Sequence, residues 1–160
     1  MKSSPLEVVF VEAGNQAAIA LMAHIHIRAF SPQGEQPWSS ASITQLLASP
    51  GFGASLYYSG DLPVGFALTR CVLDEAELIS IAVDPRAQGK GFAKQMLRLL
   101  IAWLKTQNIR NFFLEVREDN QKAVQLYQRV GFNKIGERKK YYQTMDGKKI
   151  DAHAFSLIIE

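Results

Sequence analysis

The residues Gln88-Gly89-Lys90-Gly91-Phe92-Ala93 stand between a β-branched run and a long segment with an apolar stripe. A loop of this composition leading into a helix aims backbone N–H groups and the positive end of the helix dipole at one spot, which suits an anion such as a pyrophosphate. Glycine at 89 and 91 and alanine at 93 let an extended phosphate ligand approach the backbone, and Lys90 and Lys94 add charge at the rim. The plain alternative is an ordinary strand-to-helix turn, which glycine also serves. Two familiar phosphate loops fail on spacing. A P-loop needs glycine five residues before the Gly89-Lys90 pair, where this chain has Asp84, and the G-x-G-x-x-G/A dinucleotide fingerprint meets Lys94 at its last position.

A second candidate is Glu115, a carboxylate inside the run Phe112-Phe113-Leu114-Glu115-Val116. A charge there is costly unless it is used or paired, so it is either a reactive group, the partner of Arg117 or Arg110, or a residue on an exposed edge face. Tyr127 shares a helical stripe with Ala123, Leu126 and Val130, which leaves it a core aromatic as readily as a phenol at a site. His24, His26 and His153 have no ligand spacing with Asp, Glu or Cys, and read as surface or helix-packing residues; no metal is implied. Cys71 is the sole cysteine, which excludes an intrachain disulfide and a Cys-based zinc site; within a strand it reads as a small buried hydrophobe. Arg138-Lys139-Lys140 and Lys148-Lys149 read as a solvated basic face, or else a docking patch for an RNA-bound protein, and Asp74, Glu75 and Glu77 could complement a basic peptide.

The elements that must position these residues follow from periodicity. Leu6 to Val11 reads as a strand and Gln16 to Phe30 as a helix, followed by a breaker cluster from Ser31 to Pro37 and a short helix, capped by Ser39 or Ser42, that reaches Leu47. Ser55 to Tyr58 and Val64 to Leu73 form a hairpin around Ser59-Gly60-Asp61, and Glu77 to Val83 adds a third antiparallel strand that stops at Asp84-Pro85. A helix from Phe92 to Gln107 buries Phe92, Met96, Leu99, Leu100, Trp103 and Leu104. Asn111 to Arg117 is a strand, Asn120 to Val130 a helix ended by Gly131, and Lys134 to Tyr142 with Asp151 to Ile159 a terminal hairpin around Asp146-Gly147. The result is one α+β (mixed α/β) domain over residues 1–160, with a central, mainly antiparallel sheet. The crossover helix joins neighbouring parallel strands, so the glycine loop lies at a strand's C-terminal end, where such folds place ligands.

Composition agrees. The chain has 160 residues, 48% of them apolar and 21% charged, with a net charge of +3, which excludes disorder, collagen and a disulfide scaffold. The mild charge gives no nucleic-acid or membrane footprint and suits an anionic small molecule. No run of 18 apolar residues and no signal-peptide core is present, and with a single cysteine this indicates a soluble, unprocessed cytoplasmic protein.

The run Ile81-Ala82-Val83-Asp84-Pro85, then Gln88-x-x-Gly91-x-Ala93, resembles the acyl-CoA loop of the GNAT N-acetyltransferases, Q/R-x-x-G-x-G/A after a strand ending in V-x-P. Arg86-x-x-Gly89-x-Gly91 fits the same pattern, but the register from Gln88 starts the helix directly after the second small residue. Asn120-x-x-Ala123-x-x-Leu126-Tyr127-x-x-x-Gly131-Phe132 is similar to the second GNAT signature. Val72 to Leu78, Leu114-Glu115-Val116-Arg117, Arg138 to Gly147 and Pro37-Trp38-Ser39 narrow the resemblance to the RimI-type ribosomal-protein alanine N-acetyltransferases. It covers nearly the whole chain and departs at Ser31 to Gln36, which is longer than that family's usual helix connection.

The resemblance implies a GNAT fold, a twisted, mostly antiparallel sheet flanked by about four helices. It implies acetyl-CoA as co-substrate without a metal, and transfer of acetyl to the N-terminal α-amine of a protein, a ribosomal protein in that family. Glu115 would be the base and Tyr127 the acid for the departing sulfur. Ile81, Ala82 and Val83 would meet the pantetheine arm, with Gln88, Gly89, Lys90, Gly91, Phe92, Ala93, Lys94 and Asn120 completing the cofactor site. Trp38, Tyr141 and Tyr142 would line the peptide groove. The fold equally serves lysine side chains, polyamines or antibiotic amines as acceptors, or a non-catalytic acyl-CoA-binding module. Neither direct nucleic-acid binding nor a membrane is expected, and the chain is expected to be a monomer or a weak homodimer.

Overall fold

A computed structural model describes residues 5–33 and 37–160. Its elements follow in the order β1 (Glu7–Val11), α1 (Gln16–Phe30), α2 (Ser40–Leu47), β2 (Phe52–Ser59), β3 (Leu62–Val72), β4 (Glu75–Val83), α3 (Phe92–Thr106), β5 (Asn111–Arg117), α4 (Gln121–Val130), β6 (Asn133–Gln143) and β7 (Lys149–Ile158), with short 3₁₀ turns at Ser31–Gln33 and Pro85–Ala87. The seven strands form one sheet in the order β1-β2-β3-β4-β5-β7-β6, and every adjacent pair is antiparallel except β4 and β5. The order and type of elements match the sequence reading. Of the longer connection expected at Ser31 to Gln36, Ser31–Gln33 is a 3₁₀ turn and residues 34–36 lie outside the described residues.

Local chemistry sets the ends of the helices. Asn15 accepts the Ala18 N–H at the start of α1, Ser39 accepts from Ser42 at the start of α2, and Gly131 closes α4 at φ +117°, a left-handed conformation that favours glycine. The two faces of the sheet carry separate cores. Ile19, Met22, Ile25 and Ile43 of α1 and α2 pack on Leu56, Phe66 and Leu68. On the other face Met96, Leu97, Leu100 and Leu104 of α3 pack with Phe112, Leu114, Val116 and Phe155, and Tyr127 of α4 joins them. The expected stripe of α3 is corrected here: Leu97 is fully buried and Leu99 faces outward, because the helix presents positions 92, 96, 97, 100 and 104 to the sheet.

The feature of the sheet that matters most for function is a one-residue bulge. Leu68 pairs with Ser80 and Thr69 with Leu78, so Ile79 is the extra residue of β4. The bulge inverts the strand's parity: Ala76 and Leu78 belong to the α3 core before it, Ile81 and Val83 after it, while Ile79 and Ala82 turn toward α1 and α2. Pairing between β4 and β5 ends at the same place, at Leu78 and Leu114. Beyond it Ile79–Val83 follow β3 and Glu115–Arg117 follow β7, so the two central strands part toward their C-terminal ends.

Two stability predictions arise from this frame. A Cβ at Gly65 would stand 2.5 Å from the Ala82 carbonyl oxygen and 2.7 Å from the Met96 sulfur, and the carbonyl is backbone that cannot step aside. Gly65→Ala is therefore expected to destabilise the protein by about 2 kcal/mol, read from its denaturant midpoint. The second concerns His26, buried on α1, stacked on Trp38 and accepting the Trp38 N–H at Nδ1. Burial lowers its pKa to about 4 from the ordinary histidine value of 6.5. An unfolded chain takes up the proton below about pH 6.5 and the folded one refuses it until about pH 4, so stability is steady above that window and falls on acidification through it. The unfolding free energy from urea melts should drop between pH 7 and pH 4.5 by an amount on the order of 2 kcal/mol, and His26→Asn should flatten that slope.

Candidate active site

The parting of β4 and β5 places one set of groups at each side of a wedge. At the end of β4, Asp84 is buried and accepts the Arg86 backbone N–H at 3.0 Å and the Arg86 side chain at 3.0 and 3.2 Å; Arg28 of α1 reaches it at 2.5 Å. These bonds, those of Arg86 foremost, hold its carboxyl well below the usual carboxylate range. They anchor the turn from which the glycine loop departs. Gln88 donates its side-chain amide to the Val83 carbonyl at 3.1 Å, and Gly89 and Gly91 both adopt left-handed φ near +80°. Gly91 is the N-cap of α3 and brings no side-chain cap, and the first turn holds no acidic residue.

The N–H groups of Phe92, Ala93 and Lys94 thus form a helix N-terminus without a competing carboxylate, with Lys90 exposed and Lys94 half-buried beside it. This fits an anionic diphosphate. The side chain of Phe92 is core, so only its backbone faces the site. Asn120 caps α4 by accepting the Ala123 N–H at 3.2 Å.

Glu115 and Tyr127 lie toward opposite faces of the sheet. Phe112, Leu114 and Val116 point into the α3 core, which sends Glu115 to the other face. There its Oε1 is 3.1 Å from Arg138 Nε, while Oε2 is buried with no hydrogen-bond partner among the described residues. Neither partner foreseen for Glu115 takes that place. Arg117 is buried and binds Asp119 with two donors at 3.0 and 2.8 Å, and Arg138 comes from the run read as a solvated face. Tyr127 is buried beside Phe132 and Phe155, at ring distances of 5.8 and 6.5 Å, and its hydroxyl has no hydrogen-bond partner among the described residues. Burial pushes the phenol well above its usual range, so it stays protonated.

The three aromatic residues expected at an acceptor groove separate. Tyr142 donates its hydroxyl to the Glu115 carbonyl at 3.3 Å, and Tyr141 meets Tyr142 edge-on at 5.1 Å. Trp38 stacks on His26 at 5.3 Å, against the α1 and α2 core. An open groove of about 440 Å³ runs beside this site, lined by Pro32 after α1, Arg117 and Asp119 at the end of β5, and Met145, Lys148 and Ile150 of the terminal hairpin. The sequence names Arg117 as a partner for Glu115 and Lys148 in a basic face but places none of these residues in a groove; their signal lies in the topology, which brings the α1–α2 connection and the β6–β7 turn to the same end of the sheet.

The profile of the acetyltransferase (GNAT) family matches residues 19–132, from the first turn of α1 to just past the end of α4. The chain belongs to the GNAT acetyltransferase family. Curated GNAT relatives narrow the comparison: the [ribosomal protein bS18]-alanine N-acetyltransferase of Haemophilus ducreyi is 37% identical over 123 residues, 77% of this chain and 84% of that protein. The N-alpha-acetyltransferase RimI of Mycobacterium tuberculosis is 38% identical over 114 residues, 69% of this chain and 70% of its own length. A crystal structure of the ribosomal-protein-S18-alanine N-acetyltransferase from Escherichia coli superposes with a TM-score of 0.83 at 32% identity, covering 97% of this chain and 94% of that one. At 20% identity and a TM-score of 0.78, the spermidine N-acetyltransferase of Vibrio cholerae, solved with CoA and spermine, shares the GNAT fold over 96% of this chain and 95% of its own. GNAT acetyltransferases use acetyl-CoA.

Proposed function

We propose that this chain acetylates the N-terminal α-amine of a protein, a ribosomal protein being the natural acceptor, with Glu115 as base and Tyr127 as acid. The observation that carries the chemistry is the wedge between β4 and β5, with an uncapped helix N-terminus following β4 at one side and an unpaired carboxylate oxygen on β5 at the other. The α-amine reading is supported by relatives named for it that the chain covers over most of their length.

Acetyl-CoA supplies the activated acyl group as a thioester. The chain's own residues do the rest. The N–H groups of Phe92, Ala93 and Lys94 and the cations Lys90 and Lys94 would hold its diphosphate, and the backbone of Ile81, Ala82 and Val83, free of β5, would meet the pantetheine arm. Glu115 Oε2 takes one proton from the α-ammonium, so that a neutral amine attacks the thioester carbon; as the N–C bond forms and the C–S bond breaks, the Tyr127 hydroxyl gives its proton to sulfur and the nitrogen's second proton is released in its place, leaving an amide and a free thiol. Asn120 fixes the start of α4 and so the position of Tyr127. Such a reaction belongs in the cytoplasm, and among the described residues no helix is long and apolar enough to cross a membrane.

The test is free-thiol release from acetyl-CoA with N-terminal peptides of varied first residues, α-blocked lysine peptides and spermidine as acceptors. Preference for a free α-amine is expected. Turnover confined to lysine or spermidine would remove the acceptor assignment and keep the chemistry, and binding of CoA without turnover on any amine would overturn the catalytic reading.

A further inference from the structure

We infer that Arg138 is a positioning residue for the transfer, acting through Glu115: it ties one carboxylate oxygen and so presents the other to the amine. The inference rests on the reading of Glu115 as the base. Three observations carry it. The first is the division of labour within the carboxylate, with Oε1 3.1 Å from Arg138 Nε and Oε2 buried without a partner among the described residues. A buried acceptor left unpaired is costly, and such groups are kept where function uses them.

The second is the path that lets Arg138 reach across an intervening strand. Glu115, Ala154 and Gly136 form one row across β5, β7 and β6, and Arg117, Ala152 and Arg138 form the next. With only methyl groups or hydrogen between them on β7 and at position 136, the arginine can lie diagonally over the sheet face. Arg117, two residues from Glu115 on the same face, is bound to Asp119.

The third is a device that fixes the guanidinium although its side chain is 58% exposed. Between the pairs Arg138–Ala152 and Tyr142–Ile150, β6 has three residues where β7 has only Asp151. Lys140 adopts φ +53° at this bulge, and Asp151 holds it by accepting the Lys140 N–H at 2.7 Å and the Lys139 ammonium at 3.2 Å. The bulge brings the Tyr141 ring to 4.8 Å from the Arg138 guanidinium carbon. An aromatic face on one side and a carboxylate on the other leave the guanidinium one position. An ion pair this exposed adds little to folding stability, so its consequence should be read in turnover.

Arg138→Ala and Arg138→Lys, each made in the wild type and in Glu115→Gln, test this by thiol release on a free α-amine peptide. Arg138→Ala is expected to lower kcat about tenfold with the KM for acetyl-CoA unchanged, and Arg138→Lys to recover most of the loss, because it restores the cation. In the Glu115→Gln background the same alanine change should have no further effect. Wild-type kcat in Arg138→Ala, or an undiminished tenfold loss in the Glu115→Gln background, overturns the inference while leaving Glu115 as base. Wild-type turnover in Glu115→Gln alone overturns the base assignment and this inference with it.

Discussion

The Glu115→Gln enzyme is expected to turn over an α-amine peptide about 10³-fold more slowly than the wild type at pH 7, with its fold intact. The substitution keeps shape and keeps an oxygen facing Arg138, and the ion pair it removes is an exposed one, so the sheet face has no reason to rearrange. What it removes is the acceptor for the amine's proton. An N-terminal amine has a reference pKa near 8, so at pH 7 roughly one molecule in ten is neutral and a base is most needed there. Above pH 9 the amine is already neutral, and the gap between variant and wild type should narrow. A deficit that stays constant from pH 6.5 to 9.5 would point to a role in holding the acceptor instead. Wild-type-like turnover at pH 7 would sink the assignment outright.

Much of the frame that positions Glu115 was legible in the sequence because it follows from periodicity and punctuation. Asp84-Pro85 ends β4, glycine stands at both left-handed positions of the loop before α3, and Gly131 ends α4. The bulge in β4 left one trace, the adjacent apolar pair Leu78-Ile79 where strict alternation would put one apolar residue. The two residues face opposite cores. That pair could have signalled both the inverted parity and the parting from β5. The bulge in β6 left none, since Lys139, Lys140 and Tyr141 are residues an ordinary exposed strand also carries, and only Asp151 on the neighbouring strand gives the geometry its reason.

The partner of Glu115 was hidden for a related cause. Sequence reasoning favours Arg117, which shares its face at a spacing of two, or the nearby Arg110. Whether Arg117 is available depends on Asp119, which claims it, and whether Arg138 can reach depends on the small residues Gly136, Ala152 and Ala154 lying in register between the strands. Register across three strands is a tertiary property. The same holds for Trp38, whose motif neighbours suggest a groove but whose ring is taken up by His26. Local patterns specify elements well and specify which side chains meet across them poorly.

Tyr127→Phe provides the complementary result: an expected loss of about 10²-fold in kcat with little change in stability. Most buried tyrosines bond their hydroxyl, and removing it then leaves a donor or acceptor stranded. Here the hydroxyl has no hydrogen-bond partner among the described residues, and the ring's neighbours are Phe132 and Phe155, so phenylalanine suits the surroundings. Folding should therefore shift by less than about 1 kcal/mol, and any large kinetic loss belongs to the reaction itself. Because burial keeps the phenol protonated throughout the assay range, the wild type should show no alkaline loss of rate from this group, and the deficit of Tyr127→Phe should be the same at pH 7 and pH 9. That pH-independent deficit contrasts with the narrowing expected for Glu115→Gln. The pair of profiles separates acid from base: a thiolate leaving group needs its proton at every pH tested, whereas the amine sheds its own as pH rises. An acyl donor with a more acidic thiol, which leaves without protonation, should restore most of the rate to Tyr127→Phe and none to Glu115→Gln.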